Sequence, residues 1–382
     1  MARPSAIVVG AGIVGLATAR ALAVRGYKVK VIERNERALG ASVRNFGMIW
    51  PIGQPNGELY ERAMLSRKIW KVTCDDAGIW YDEAGSLHVA HSGDEALVLE
   101  ELAEIYSQRG YQYLDAEKTL KRSAFIVPQN LKAGLYSRHE MIVDPREAIV
   151  KIPLWLTEKY GVELIYCKAV TDIAPPSVYT GSDQWEADEI FVCSGADFET
   201  LYPALFAASP VTRCKLQMMR LAAQPGNDRI GAALCGPLSL MHYEGFKVAL
   251  SLDSLSRRYQ HEYAEYLKWG IHVMVSQNQA GELTVGDSHE YGLTPDPFDK
   301  QFINQLILDY LAKFARFKDE TVIETWHGIY PKLTNGQSYF VLAPEKNVCV
   351  INGLGGAGMT LSFGLCEQLV GKKLQNHQDI FY

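Results

Sequence analysis

The sequence predicts an α/β protein in two parts: a Rossmann-like dinucleotide-binding domain, and a second α+β domain built on a large, mainly antiparallel sheet. Three observations carry this expectation. A strand, three spaced glycines, a helix and a second strand ending in an acid follow in register from Ala6 to Glu33. Long polar–apolar alternation appears after Pro210. A second glycine-rich turn between a strand and a helix closes the chain from Gly353 to Gly358.

The first unit starts with the apolar run Ala6 to Val9, short and bounded by glycine, which reads as a buried strand. Gly10, Gly12 and Gly15 then stand at G-x-G-x-x-G spacing. The first permits a tight turn, the second lets backbone approach a pyrophosphate, and the third lets the next helix lie close to the strand. Ile13 to Val24 is that helix, ending at Gly26, so its N-terminal N–H groups and positive dipole end face an anion. Val29 to Ile32 is the second strand. It ends in Glu33, whose carboxylate can accept from both ribose hydroxyls of an adenosine.

The loop RNERALGASVRNFGMIWPIGQPNG leaves the carboxyl end of that strand, where ligands of open α/β sheets sit. Ser42, Arg44, Asn45 and Phe46 are therefore expected near a bound dinucleotide. Asn56 is the expected cap of a helix from Gly57 to Asp75, with Leu59, Ala63, Leu65, Ile69 and Trp70 facing inward. Trp80 to Ala90 reads as strands of another, antiparallel sheet. Glu95 to Arg109 carries Leu97, Val98, Leu102, Ile105 and Tyr106 at helical spacing. Asp144 and Pro145 have the N-cap and first-position chemistry of a helix running to Lys159, stopped by Gly161. Val162 to Tyr166 and Asp188 to Ser194 are further strands. Alternation over Lys215 to Ala222, Leu238 to Ser251 and His272 to Asp287, turning at Gln279 to Glu282, builds the second sheet. Ile303, Ile307, Tyr310, Leu311 and Phe314 stripe a helix from Phe302 to Phe317. The chain thus leaves the dinucleotide domain and returns to it, with expected segments 1–75, 143–205 and 321–382, against 76–142 and 206–320 for the second domain.

Composition narrows the classes. The 382 residues are 48% apolar and 21% charged, ordinary for a globular protein. A net charge of −6 argues against a nucleic-acid surface, and no apolar run reaches the roughly 18 residues of a membrane span. Seven cysteines without a C-x-x-C pair suggest reduced thiols and a cytoplasmic protein, and indicate neither a zinc ribbon nor a redox-active disulfide. Gly353, Gly355 and Gly358 repeat the G-x-G-x-x-G spacing, but too little chain follows for a second βαβ unit. They are expected to aim a helix N-terminus at the same cofactor. One dinucleotide unit without a nicotinamide domain fits FAD reduced by its substrate.

With both glycine clusters, the sequence resembles the D-amino-acid oxidase family of flavoproteins, which includes glycine and sarcosine oxidases. The resemblance rests on GAGIVG with Glu33, GASVRNFGM, VDPREA, FVCSGAD, WHGIYPKLTNGQSYF with its Trp-x-Gly-x-x-Pro pattern, and NGLGGAGMTLSFG. The loop SVRNFGMIWPIGQP is similar to a branch associated with aminophosphonate breakdown. The resemblance implies non-covalent FAD, since Cys349 lies within a strand. It implies oxidative deamination of a small anionic amine, a relative of 2-aminoethylphosphonate in its N-methyl or 1-hydroxy form, with dioxygen reoxidising the flavin.

Implied cofactor contacts come first from Gly10, Ala11, Gly12, Ile13, Val14 and Gly15, then from Glu33 and Arg34. The loop adds Ser42, Arg44, Asn45, Phe46 and Gly47, and the middle of the chain Val170, Ser194 and Gly195. The tail adds Gly328, Gly353, Gly355, Gly356, Ala357, Gly358, Met359 and Thr360. Glycine oxidase carries a carboxylate-gripping arginine before the proline of the tail segment, where this chain has Tyr330. The substrate anion is therefore expected on other groups: Arg44, Lys215, His242, His327 and Lys332, with Asn45, Met48, Trp50, Tyr243 and Tyr330 shaping the pocket. Three rivals stand beside this reading. They are a flavin hydroxylase, against which Gly286-Asp287 falls in a strand rather than before a helix, a dehydrogenase with another electron acceptor, and a non-catalytic FAD-binding subunit.

Overall fold

The computed structural model describes residues 3–375. Its first sheet has six strands in the order Phe340–Leu342, Val348–Asn352, Glu189–Val192, Ser5–Val9, Lys28–Ile32 and Glu163–Ile165. All are parallel to their neighbours except Phe340–Leu342, which runs antiparallel at the edge. Chain order reverses on either side of Ser5–Val9, and a crevice opens beyond the carboxyl ends of the strands at such a switch point. Helices Ile13–Ala23, Glu58–Ala77, Pro145–Tyr160 and Gly358–Gln375 pack on this sheet. The two glycines of the first turn show why the sequence requires them. Gly10 has φ 98°, and a Cβ on Gly15 would stand 1.8 Å from the Gly10 carbonyl oxygen.

The second sheet has nine strands. In order they are Glu290–Gly292, Val211–Leu221, Leu283–Gly286, Met274–Gln277, Ala233–Cys235, Ser86–Ala90, Ala133–Ser137 and Gln112–Asp115, while Val322–Leu333 pairs with Val211–Leu221. One pair is parallel, Ala233–Cys235 with Ser86–Ala90, and the others are antiparallel. The helix Gln301–Phe314 buries all five stripe residues against it, which is the expected α+β arrangement. Two small three-stranded sheets complete the fold. One joins Met48–Ile49, Met141–Val143 and Tyr81–Asp82, and the other is the meander Asp172–Ala174, Ser177–Thr180 and Asp183–Glu186. Among the described residues no helix is long and apolar enough to cross a membrane, and the cysteines form no disulfide.

Several local expectations are corrected. Leu238 to Ser251 forms no strand but the 3-10 turns Pro237–Met241 and Glu244–Phe246, because Gly236 and Pro237 start a turn that the Ser239 hydroxyl closes on the Gly236 carbonyl at 2.7 Å. Asn56 does not cap this helix, since Gly57 is the N-cap and the Asn56 side-chain Oδ1 accepts instead from the Arg109 guanidinium. Leu97 and Ile105 face solvent, and Leu99 takes the inner position beside Val98 and Leu102. Val322–Leu333, read from sequence with the tail of the dinucleotide domain, spends its whole length hydrogen-bonded in the second sheet. The helix start at Asp144 is as expected: its carboxylate accepts from the N–H groups of Arg146 and Glu147, and Gly161 ends the helix in the left-handed region.

Candidate active site

One cavity of about 560 Å³ runs from the carboxyl ends of the parallel strands to the face of the second sheet. At its outer end lie Gly12, Ile13 and Val14, the start of the first helix, whose N-cap Gly12 has no side chain to cap the first turn. Ile13 N–H is held by the Ser42 hydroxyl at 2.9 Å, which fastens the 40s loop over the turn. Beside it the buried carboxylate of Glu33 accepts from Ala11 N–H at 2.9 Å through Oε2, and from the backbone and side-chain N–H of Asn35 at 3.1 and 3.3 Å through Oε1. These donors offset the cost of burying it and fix its direction at the strand end.

The late glycine loop forms the middle of the cavity. Asn352 ties it down: its amide donates to the Gly195 carbonyl at 2.9 Å, and its oxygen accepts from Gly353 N–H at 2.7 Å. Trp50 N–H donates to Thr360 Oγ1 at 2.9 Å, so the 40s loop and the start of the last helix meet in one wall. A Cβ on Gly356 would meet only the Tyr330 side chain, its hydroxyl nearest at 3.6 Å, which leaves backbone facing open space.

The inner end is lined by polar, buried side chains. His242, His272 and His289 line it with Asp287, and all four are pushed towards their neutral forms by burial. The His289 imidazole is driven down to about 4, His242 and His272 fall well below the usual range, and the Asp287 carboxyl rises well above it. Lys332 points here with its Nζ 3.1 Å from the Tyr291 hydroxyl, and Arg44 reaches the His327 carbonyl at 3.4 Å. Among the described residues neither cation has a carboxylate within ion-pair distance.

A family model described as FAD dependent oxidoreductase, abbreviated DAO, matches residues 5–371. The chain belongs to this family. The oxidoreductase has the fold of the glycine oxidase from Bacillus cereus ATCC 14579, with TM-score 0.77 at 16% identity, covering 99% of this chain and 96% of that one. Among curated proteins it is similar to the tRNA 5-methylaminomethyl-2-thiouridine biosynthesis bifunctional protein of Chromobacterium violaceum, 36% identical over 107 residues, 26% of this chain and 16% of that protein. It is also similar to the D-amino acid dehydrogenase of Helicobacter pylori, 25% identical over 248 residues, 50% of this chain and 60% of the relative. The L-2-hydroxyglutarate dehydrogenase of Dictyostelium discoideum is 32% identical over 164 residues, 40% of this chain and 36% of the relative. The chain thus spans well under half the length of the two bifunctional proteins that head these relatives, 16% and 39%.

The cavity of the oxidoreductase fits FAD. Its outer end offers a ribose acceptor in Glu33 and a helix N-terminus that starts at Gly12 for the pyrophosphate, and its middle offers a loop of glycine backbone with no side chain in the way. Of the residues expected around the cofactor, Gly10, Gly12, Ile13, Val14, Glu33 and Arg34 line the cavity. So do Ser42, Arg44, Asn45, Phe46, Val170, Ser194 and Gly195, and in the tail Gly353 and the run from Gly355 to Thr360.

Ala11, Gly15, Gly47 and Gly328 lie outside it and serve close packing. A Cβ on Gly47 would stand 1.9 Å from the Val143 carbonyl, and one on Gly328 3.0 Å from that of Arg44. Arg34 is held by an ion pair to Asp197.

For the substrate, Arg44, Asn45, Met48, Trp50, His242, Tyr243, Tyr330 and Lys332 come together, and Lys215 and His327 do not. Lys215 is the strand neighbour of cavity-lining Leu216, so it points to the opposite face. There its ammonium donates to the carbonyls of Asp296 and Phe298 and pairs with Asp299, which also accepts His327 Nδ1 at 2.9 Å. Both expected cations are spent on anchoring one loop. His272, Asp287 and His289 are not among the residues expected in the site, and Asp287 enters the sequence reading only as part of a Gly-Asp flavin motif. The hairpin turn already read at 279–282 brings the two segments together, but its register pairs Met274 with Gly286 and would set His272 opposite Ser288; a one-residue shift beyond that pair places His272 against Asp287, whose backbones exchange hydrogen bonds at 3.3 and 3.0 Å.

Proposed function

We propose that this flavoenzyme oxidises a small amine or amino acid bearing a strongly anionic group, and that dioxygen is its electron acceptor, giving hydrogen peroxide. The observation that carries the reading is the inner end of the cavity. Two cations without carboxylate partners, Arg44 and Lys332, and three neutral imidazoles face the space next to the late glycine loop. Bound FAD supplies the acceptor for a hydride from the carbon bearing the amine. The chain supplies position and protonation state. Arg44 can meet a carboxylate or phosphonate with a bidentate fork, and Lys332 adds a point charge. His289 donates Nδ1–H to the Gly270 carbonyl at 2.8 Å, which fixes its tautomer and leaves Nε2 as an uncharged acceptor. Trp50, Tyr243 and Met274 line the walls, with the Tyr243 hydroxyl donating to Met274 Sδ at 3.2 Å.

Within this class, the finer reading is an aminophosphonate related to 2-aminoethylphosphonate, in its N-methyl or 1-hydroxy form. It is supported by the wording of the loop SVRNFGMIWPIGQP and by Tyr330 standing where a carboxylate-gripping arginine is otherwise expected. Glycine, sarcosine and D-amino acids are the alternative amines, in line with the names of the glycine oxidase and D-amino acid dehydrogenase relatives. One observation favours a second reading, oxidation of a 2-hydroxy acid. Removing a hydroxyl proton needs a base, three uncharged imidazoles are present, and one relative is named an L-2-hydroxyglutarate dehydrogenase.

The deciding experiment is anaerobic flavin bleaching by glycine, sarcosine, D-alanine, 2-aminoethylphosphonate, its N-methyl and 1-hydroxy derivatives, and 2-hydroxyglutarate. A phosphonate is expected to reduce the flavin fastest. Faster reduction by glycine or sarcosine would sink the phosphonate reading alone, and reduction only by 2-hydroxyglutarate would sink the amine reading.

A further inference from the structure

The three histidines at the inner end of the cavity are more than a polar wall. The ligand-capable atoms of His242, His272 and His289 all lie within 4.8 Å of one another. Two nitrogens bound to one zinc ion stand about 3.3 Å apart, so side-chain shifts of roughly an ångström close the group on a metal. Asp287 borders the trio, with Oδ1 3.2 Å from His272 Nε2 and Oδ2 3.8 Å from His289 Nε2. Neither contact has hydrogen-bond geometry. Both ring nitrogens of His272 and Oδ1 of Asp287 are buried and lack a partner. Buried polar atoms are normally satisfied, so the orphaned His272 Nε2 and Asp287 Oδ1, side by side at the cavity, call for a ligand there. His289 is already oriented for ligation: the Gly270 carbonyl holds its Nδ1–H and leaves Nε2 free, which is how backbone carbonyls fix metal-binding histidines.

The choice of metal follows from the donor set: three imidazole nitrogens within 4.8 Å of one another, with a carboxyl oxygen at their edge, suit a divalent transition metal and offer an anion no fixed positive charge. We propose that His242, His272 and His289, with Asp287 at their edge, bind one divalent transition-metal ion of the zinc type in the cavity wall. Three protein nitrogens leave a coordination position open towards the cavity. An oxygen of the substrate's anionic end would occupy it, so that the metal replaces the missing arginine as anion clamp. The metal site stands on the side chains alone, and the clamp rests on the proposed anionic substrate.

The test uses FAD-loaded protein, chelator-treated and then titrated with zinc alone. One zinc per chain should bind, and cobalt in its place should give ligand-field absorption to the red of the flavin bands. His272→Gln and His289→Gln should each remove that stoichiometric ion while keeping FAD, and Asp287→Asn should weaken it by roughly 10–100-fold. Zinc uptake below stoichiometry in the wild type, or equal uptake by the variants, overturns the site. Should the variants not fold, zinc-edge absorption on the wild type decides, because fewer than three histidine nitrogens on the ion would overturn it equally. Inorganic phosphate should perturb the flavin spectrum only when zinc is present, and an equal effect without zinc overturns the clamp. Zinc bound by a protein that no anionic amine reduces would leave the site standing and refute the substrate reading.

Discussion

Replacing Glu33 by Gln tests the adenosine end of the cavity with almost no change of shape. The carboxylate accepts from Ala11 N–H through one oxygen and from Asn35 through the other, and faces the cavity between them. A carboxamide keeps one acceptor oxygen and turns an NH2 towards a backbone N–H, so one buried donor loses its partner. That costs roughly 1–3 kcal/mol of apoprotein stability. Hydrogen bonds from the ribose hydroxyls to a charged acceptor are worth ~1.5–3 kcal/mol, so FAD affinity should fall by about one to two decades. Quenching of flavin fluorescence during titration of apoprotein measures the dissociation constant, and urea unfolding without FAD measures the stability term separately. If destabilisation appears with an unchanged FAD dissociation constant, Glu33 only holds the loop together and does not touch the ribose.

Further outcomes concern packing, acid and the flavin itself. Gly15→Ala puts a methyl 1.8 Å from the Gly10 carbonyl, which must push the first helix off the strand, so apoprotein should unfold at clearly lower urea and retain little FAD. His88 is buried with both ring nitrogens unpartnered beside Trp50 and Phe246, and burial drives its pKa down to about 3. The unfolded chain therefore binds a proton below about pH 6.5 that the folded chain refuses until about pH 3, so stability present above pH 6.5 falls as pH drops through that window. At about 1.4 kcal/mol per pH unit the loss has an upper bound of roughly 5 kcal/mol. His88→Leu should flatten this limb in urea unfolding at stepped pH, and an unchanged slope would show that His88 is not its source. Finally, acid precipitation should release all the flavin into solution, and colour remaining on the polypeptide would mean a covalent link.

The parts of this protein legible in its sequence are those governed by local rules. Gly10, Gly12, Gly15 and Glu33 sit in one short βαβ unit whose spacing permits few conformations, so strand, turn, helix and acid could be placed from residue order alone. The cap at Asp144 and the stripe of Gln301–Phe314 are equally local, since one depends on adjacent residues and the other on helical period. Tertiary structure decided which way strand residues face and what they meet. Lys215 and His327 looked like substrate cations because charge is visible in sequence, but the pleat turns Lys215 to the far face, where both groups are consumed by Asp299. Conversely, His242 comes from a turn, and His272, Asp287 and His289 from a hairpin and its exit. Their shared pocket is a product of non-local pairing, in which segments remote along the chain are brought together by the sheet, and no spacing within one segment encodes it.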